Sequence, residues 1–189
     1  MGWERMRVSK AKGGMGFKDL TIFNKALLAK QVWRIMQNPS SLVTRIMQAK
    51  YFSRKKVFEA GLGTRPSLAW RSLLSLKEIL IQGSIWRGNG NDIRILGDCW
   101  LQKPTSFSVQ TPKSLLMENM RVSELIDQDM KYWRREFIEQ NFLQADVISI
   151  LNIPLSPFLR KDRLIWRCMK NGEFSMKSAY HLRLECSSL

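Results

Sequence analysis

The stretch LTIFNKALLAKQVWRIM, residues 20–36, decides the fold class. Leu20, Phe23, Leu27 and Leu28 recur at three- and four-residue intervals, and Ala26, Ala29, Trp33 and Met36 widen the same face. That is the spacing of an amphipathic helix. Downstream, Asn38 and Pro39 read as the cap and first residue of a second helix reaching about Tyr51, with Leu42, Val43, Ile46 and Met47 turned inward. Ser67 caps a third helix, SLAWRSLLSLKEILIQG, which Gly83 ends, and Trp70, Leu73, Leu74 and Leu80 share its surface. Upstream, Gly13, Gly14 and Gly16 form a loop. It lacks the Gly-Lys-Ser/Thr ending of a phosphate-binding loop, so it reads as a turn before a helix.

The period changes at IWRGNGNDIRI, residues 85–95. Asn89-Gly90 is a two-residue hairpin signal, and its register pairs Trp86 with Ile93 and Arg87 with Asp92. Gly97 and Pro104 bracket a loop holding Asp98, Cys99 and Trp100. Residues 102–122 are rich in Ser, Thr and Pro and read as a linker or long loop. Short helices follow over Val122–Asp127, Tyr132–Asn141 and Ala145–Leu151. A second hairpin turns at Asn171-Gly172, pairing Lys170 with Glu173 and Met169 with Phe174, before a short helix in KSAYHLRLE. Ile-Trp-Arg precedes Asn-Gly in both regions, which reads as shared hairpin chemistry rather than a repeat. The expectation is a mainly helical α+β fold with Trp33, Trp70, Trp86 and Trp166 buried. It divides into a basic helical region at 1–83, a β-hairpin and loop at 84–104, and a linker, short helices and hairpin at 105–189.

The chain has 189 residues, 31 Lys+Arg against 16 Asp+Glu and a net charge of +15, and its 44% apolar content suffices for a core. No run reaches the roughly 18–20 apolar residues of a membrane span. Cys99, Cys168 and Cys186 are too scattered for a disulfide framework, and with His181 as the one imidazole they complete no zinc site. A Ser-His-Asp triad would depend on His181 alone. Asp127 and Asp129 lack a third carboxylate nearby, and Asp19, Asp92, Asp98 and Asp162 fall in different elements. The clustered carboxylates of metal-assisted phosphoryl transfer are therefore not assembled. The start of the chain has no apolar signal core, and Met6 breaks the myristoylation pattern.

The charge is concentrated. Residues 1–60 hold 13 basic and 3 acidic residues, whereas residues 111–189 hold 12 and 10. Such asymmetry suits a polyanion, most often nucleic acid, with a solvated basic surface as the alternative. Lys30 and Arg34 are like charges at i,i+4, a cost that an overlying anion would relieve. In YFSRKK, residues 51–56, cations sit beside Tyr51 and Phe52, a composition suited to phosphates and stacked bases, with the alternative that aromatics ending a helix usually belong to the core.

Several segments together resemble the stretch that follows the polymerase core in plant LINE-type, non-LTR reverse transcriptases. Trp3, Lys10 to Lys12, Gly13 to Phe17 and Asp19-Leu20 match its opening, and Phe23-Asn24, Ala26 to Gln31 and Trp33-Arg34 continue it. Gly63, Pro66-Ser67, Trp70 to Ser72, Gly83 and Trp86 to Gly90 fit its middle. Asp162, Trp166, Asn171-Gly172 and Phe174 to Tyr180 resemble the lead-in to its zinc-binding segment. A similar block occurs as isolated reading frames in plant mitochondrial genomes. One departure is Ile95 to Asp98, where the family has a tryptophan before Asp-x-Trp, which bears on how Trp100 packs.

The resemblance implies a thumb- and connection-like helical half. Its partners would be RNA, DNA or an RNA–DNA hybrid, gripped through phosphates. It also implies a polymerase palm domain as partner, no membrane, and a nuclear or mitochondrial location. The palm aspartates, with their magnesium, and the Cys/His zinc cluster are not in this sequence. The expectation is therefore a non-catalytic, cofactor-free fragment that binds nucleic acid without sequence preference. The expected contacts are Lys10, Lys12, Lys18, Lys25, Lys30, Arg34, Lys50, Arg54, Lys55 and Lys56. The alternative is a decayed reading frame, or a partner-dependent relic with no activity of its own.

Overall fold

The first long helix begins where Asp19 stops the extended chain. Its Oδ1 accepts the backbone N–H groups of Thr21 (2.8 Å) and Ile22 (3.1 Å), two of the donors a helix start leaves unpaired. The computed structural model describes residues 6, 13, 15–53, 56–103, 107–112, 119–156 and 160–187. About 48% of the chain is helical and the sheet has two strands, so the fold is mainly helical α+β. Its helices are α1 (Leu20–Gln37), α2 (Leu42–Tyr51), α3 (Leu68–Leu74), α4 (Lys77–Gly83), α5 (Arg135–Asn141), α6 (Gln144–Leu151) and α7 (Met176–Ser187), and its strands are β1 (Ser84–Arg87) and β2 (Arg163–Trp166). None of these helices is long and apolar enough to cross a membrane.

The chain forms two compact units, one of residues 1–83 with 168–189 and the other of residues 84–167. The sequence grouped 105–189 together, but in the fold its last part, 168–189, packs with the N-terminal helices. In the first unit α1 lies chiefly against α7, with α2, α3 and α4 also touching it. The buried stripe of α1 is Ile22, Ala26, Ala29 and Trp33, flanked by Val32 and Ile35. Ala26, Ala29 and Trp33 are on the expected face, but Leu20 and Leu27, also expected there, point to solvent. Alanines at 26 and 29 bring α7 close, Trp33 stacks on Phe174 at 5.7 Å, and the Tyr180 hydroxyl accepts the Asp19 N–H at 2.9 Å.

Two helix boundaries also differ from the pattern. Asn38 closes α1, its N–H and its Nδ2 both donating to the Arg34 carbonyl. Ser41 opens α2 instead, its Oγ accepting the Thr44 N–H at 3.2 Å. Only Thr44 of α2 is buried, while Leu42, Val43 and Ile46 are 69%, 57% and 55% exposed, reversing the expectation that they turn inward. Ser67 caps α3 as read, but the expected long helix breaks between α3 and α4. There the Ser75 hydroxyl donates to the Ser72 carbonyl and the Leu76 N–H turns to Leu73.

Neither expected hairpin forms. The two Ile-Trp-Arg segments instead supply the two strands of one antiparallel sheet, with Ser84 opposite Trp166, Ile85 opposite Ile165, Trp86 opposite Leu164 and Arg87 opposite Arg163. Ile93 and Ile95 pair with the backbone of residues 120–122 rather than with Trp86. Arg87 donates to the Trp100 carbonyl at 3.0 Å, not to Asp92. Asp162 replaces the missing hairpin partner, its two carboxylate oxygens accepting the Gly90 N–H (2.8 Å) and the Asp92 N–H (2.7 Å). Residues 169–172 make a turn closed by the Gly172 N–H on the Met169 carbonyl, so Lys170 and Glu173 form no ladder.

The second unit has its own core, built on Ile95, Trp100, Leu101, Leu125, Ile138 and Ile150. Trp100 is buried despite the departure at 95–98, and its Nε1–H donates to the Ile95 carbonyl at 3.1 Å. Trp33, Trp70 and Trp166 are buried as expected, whereas Trp86 is only half-buried. Part of the expected linker is firmly pinned. The Asp146 carboxylate, at the start of α6, accepts the N–H groups of Gln110 and Thr111, the Thr111 hydroxyl and the Lys103 ammonium. The short helix expected over Val122–Asp127 is a single 3-10 turn at Val122–Leu125.

Candidate nucleic-acid interface

The amphipathic pattern that folds α1 also sets its cations outward. Lys30 and Arg34, one turn apart, are both exposed, and Lys25 on another side of the helix is half-buried. Lys18, just before the helix, lies over the Phe23 ring at 5.1 Å. Among the described residues no carboxylate pairs with Lys18, Lys25, Lys30, Arg34 or Lys50. Lys10, Lys12, Arg54 and Lys55 lie outside the described residues.

Arg34 borders a groove of about 740 Å³ between α1, α2 and α3. Gln31, Asn38 and Ser41 line it with polar groups, and Leu28, Val43 and Met47 with apolar ones. The sequence did not single out Arg45 and Arg71, which are also exposed on α2 and α3. Their excess charge was the available signal, but neither falls in a run of basic residues.

Of the two readings of the aromatics, the structure favours packing over base stacking. Tyr51 stacks face to face on Trp70 with centroids 4.6 Å apart, and Phe52 is buried against the same indole at 5.8 Å. These rings complete the core and leave no open face between them for a base. The Tyr51 hydroxyl is tied to Ser67, accepting its N–H at 3.2 Å and donating to its Oγ at 3.0 Å, and these bonds lower its pKa. Lys50 sits over the Tyr51 ring at 5.3 Å, a cation at the edge of a packed aromatic stack. Lys56 is half-buried at the start of the Val57–Glu59 turn.

Four of the aspartates have structural partners. Asp19 caps α1, Asp98 accepts the Arg94 N–H at 2.9 Å, Asp146 holds the loop at 110–111, and Asp162 holds the loop at 90–92. Among the described residues no three His, Cys, Asp or Glu side chains gather as a metal site. The exposed cations of the helices present positive charge to solvent, a setting that favours anions.

An uncharacterized mitochondrial protein of Arabidopsis thaliana is 39% identical over 107 residues, which cover 56% of this chain and 70% of that protein. The chain belongs to the family of that mitochondrial protein. A putative ribonuclease H protein of Arabidopsis thaliana is 26% identical over 195 aligned positions, covering 95% of this chain. The chain spans about 30% of the length of this second relative. No family model matches the sequence, and no solved structure matches it.

Proposed function

We propose that the chain is a non-catalytic segment of the plant LINE-type reverse-transcriptase kind, and that it binds nucleic acid through the outward cations of its first helices. The observation that carries this reading is the set of carboxylate-free cations on α1 and α2, in a region with a net charge of +10 from 13 basic and 3 acidic residues. The likeness to a protein named for ribonuclease H supports a nucleic-acid partner. The structural employment of Asp19, Asp98, Asp146 and Asp162 supports binding rather than metal-assisted chemistry, with no cofactor. Binding of this kind reads phosphates, not bases, and falls with salt.

The test is fluorescence anisotropy with a labelled RNA–DNA hybrid across a salt series. Lys30→Ala/Arg34→Ala should weaken binding equally for unrelated sequences and reduce the salt slope by at most about 0.9 per cation removed. An unchanged slope removes these residues from the interface.

A second reading, a relic that depends on a missing partner, is favoured by the exposed Leu42, Val43 and Ile46. It requires that the purified chain self-associate whether or not nucleic acid is present, and sedimentation velocity decides the point.

A further inference from the structure

The second unit contains a cleft that the helical surface does not explain. Its volume is about 280 Å³, just under the roughly 300–1,000 Å³ of common small-molecule pockets. Trp86, Trp100 and Trp133 line it, together with Arg160, Lys161 and Arg163. Among the described residues no Asp or Glu lines it.

The local chemistry explains why this combination stays open to a ligand. The Trp100 and Trp133 rings lie 6.4 Å apart, tilted by 31°. Their indole N–H groups are already used, Trp100 on the Ile95 carbonyl (3.1 Å) and Trp133 on the Ile153 carbonyl (2.9 Å). They offer the cleft aromatic surface rather than donors. Trp86 and Trp133 are half-buried, with ring area left to cover. The three cations are exposed, and none pairs with a carboxylate among the described residues. Asp162, in the middle of RKDR, spends both oxygens on the Gly90 and Asp92 N–H groups.

A recess lined by tryptophan rings and by unpaired cations is complementary to a flat ring bearing anionic groups. Within a polynucleotide, an unpaired base with its flanking phosphates has that form, and a base inside a duplex does not, since both its faces are stacked. We propose that this cleft binds single-stranded nucleic acid, seating one unpaired base against Trp86 and Trp133 with its phosphates on Arg160, Lys161 and Arg163. The site is separate from the cations of α1 and α2 and stands or falls independently of them.

The test uses the full chain, a short labelled oligothymidylate, and a DNA duplex as control. Arg160→Ala/Lys161→Ala changes only exposed side chains. It should weaken oligothymidylate binding about tenfold and lower its salt slope by about 1.4, at roughly 0.7 per single-strand contact, leaving duplex affinity unchanged. Oligothymidylate should quench tryptophan fluorescence in the parent protein and in Lys30→Ala/Arg34→Ala alike, which separates this site from the helical surface. Trp133→Phe keeps an aromatic face and should retain most of the affinity, whereas Trp133→Leu should lose about tenfold, the scale of one stacked base. Unchanged oligothymidylate affinity in Arg160→Ala/Lys161→Ala overturns the proposal. Equal loss for single strand and duplex also overturns it, by reducing the cations to general surface charge. Full displacement of oligothymidylate by stoichiometric thymidine triphosphate would make the occupant a free nucleotide and not a strand.

Discussion

Asp146 shows how one residue fixes a loop that sequence composition marks as a linker. Burial alone would raise its pKa, but the hydrogen bonds from Lys103 and Thr111 and the Lys103 charge outweigh that and hold it below its ordinary value of 3.8. A depressed folded pKa means that the stabilisation is fully present above the ordinary value and is lost as pH falls through the folded one. Asp146→Ala leaves the buried Lys103 ammonium without its counter-charge and should cost about 3–5 kcal/mol near neutral pH in urea unfolding. The difference between parent and variant should narrow as the solution is acidified below the carboxylate range. A gap that is constant with pH would assign the loss to packing. Gly90 is a second such residue. Its φ is +82°, and a Cβ there would stand 2.6 Å from the Ser123 backbone nitrogen. Gly90→Ala should therefore cost at least the roughly 1–2 kcal/mol of a left-handed residue, read by the same unfolding measurement. The Asn-Gly signal correctly marked a turn with a positive-φ glycine. It gave no sign that Asp162, distant in sequence, holds that turn.

At the scale of elements, the helices were legible and their faces only in part: Trp70, Leu73 and Leu80 are buried as expected, whereas Leu20, Leu27 and the inward face read for α2 are exposed. On α1 the expected face joined Leu20, Phe23 and Leu27 to Ala26, Ala29 and Trp33, and the buried stripe keeps the second set, adds Ile22 and leaves Leu20 and Leu27 outside. Hydrophobicity favours the leucines, but the fold buries the alanines because their small side chains admit α7. The hairpins failed for a related reason. A turn signal is local, whereas the partner of β1 is β2, and the register of Ile85 opposite Ile165 is set by tertiary pairing. The cations were legible as candidates, and of the two readings open for Tyr51 and Phe52, stacked bases or core, the Trp70 indole favours the second. These assignments separate in mutation. Trp33→Ala, on the buried stripe, should cost about 3–5 kcal/mol. Leu42→Gln/Ile46→Gln, on the exposed face of α2, should change stability by no more than about 0.5 kcal/mol per site. A large loss in the α2 variant, measured by thermal unfolding of dilute protein, would mean that this face is covered in solution.

At the scale of the whole molecule, the sequence order and the compact units disagree in an informative way. Residues 84–167 form one unit, and the chain on either side of them forms the other. The inserted segment begins with β1 and ends just after β2, and Ser84 lies directly opposite Trp166. Its two ends are therefore neighbours, the arrangement in which an inserted unit leaves its host's chain path nearly uninterrupted. The segment also carries its own buried cluster, from Ile93 to Ile150, and its own pinned loops through Asp146 and Asp162. Residues 84–167 expressed alone should therefore keep a near-ultraviolet circular dichroism signal from packed Trp100 and Trp133 and unfold in one cooperative transition. Asp146→Ala in this fragment should lower the transition as it does in the full chain, because every partner of that carboxylate lies within the fragment. A fragment with helical far-ultraviolet signal but no near-ultraviolet signal would show that the cluster requires the rest of the chain, and that the insertion is topological without being an independent folding unit.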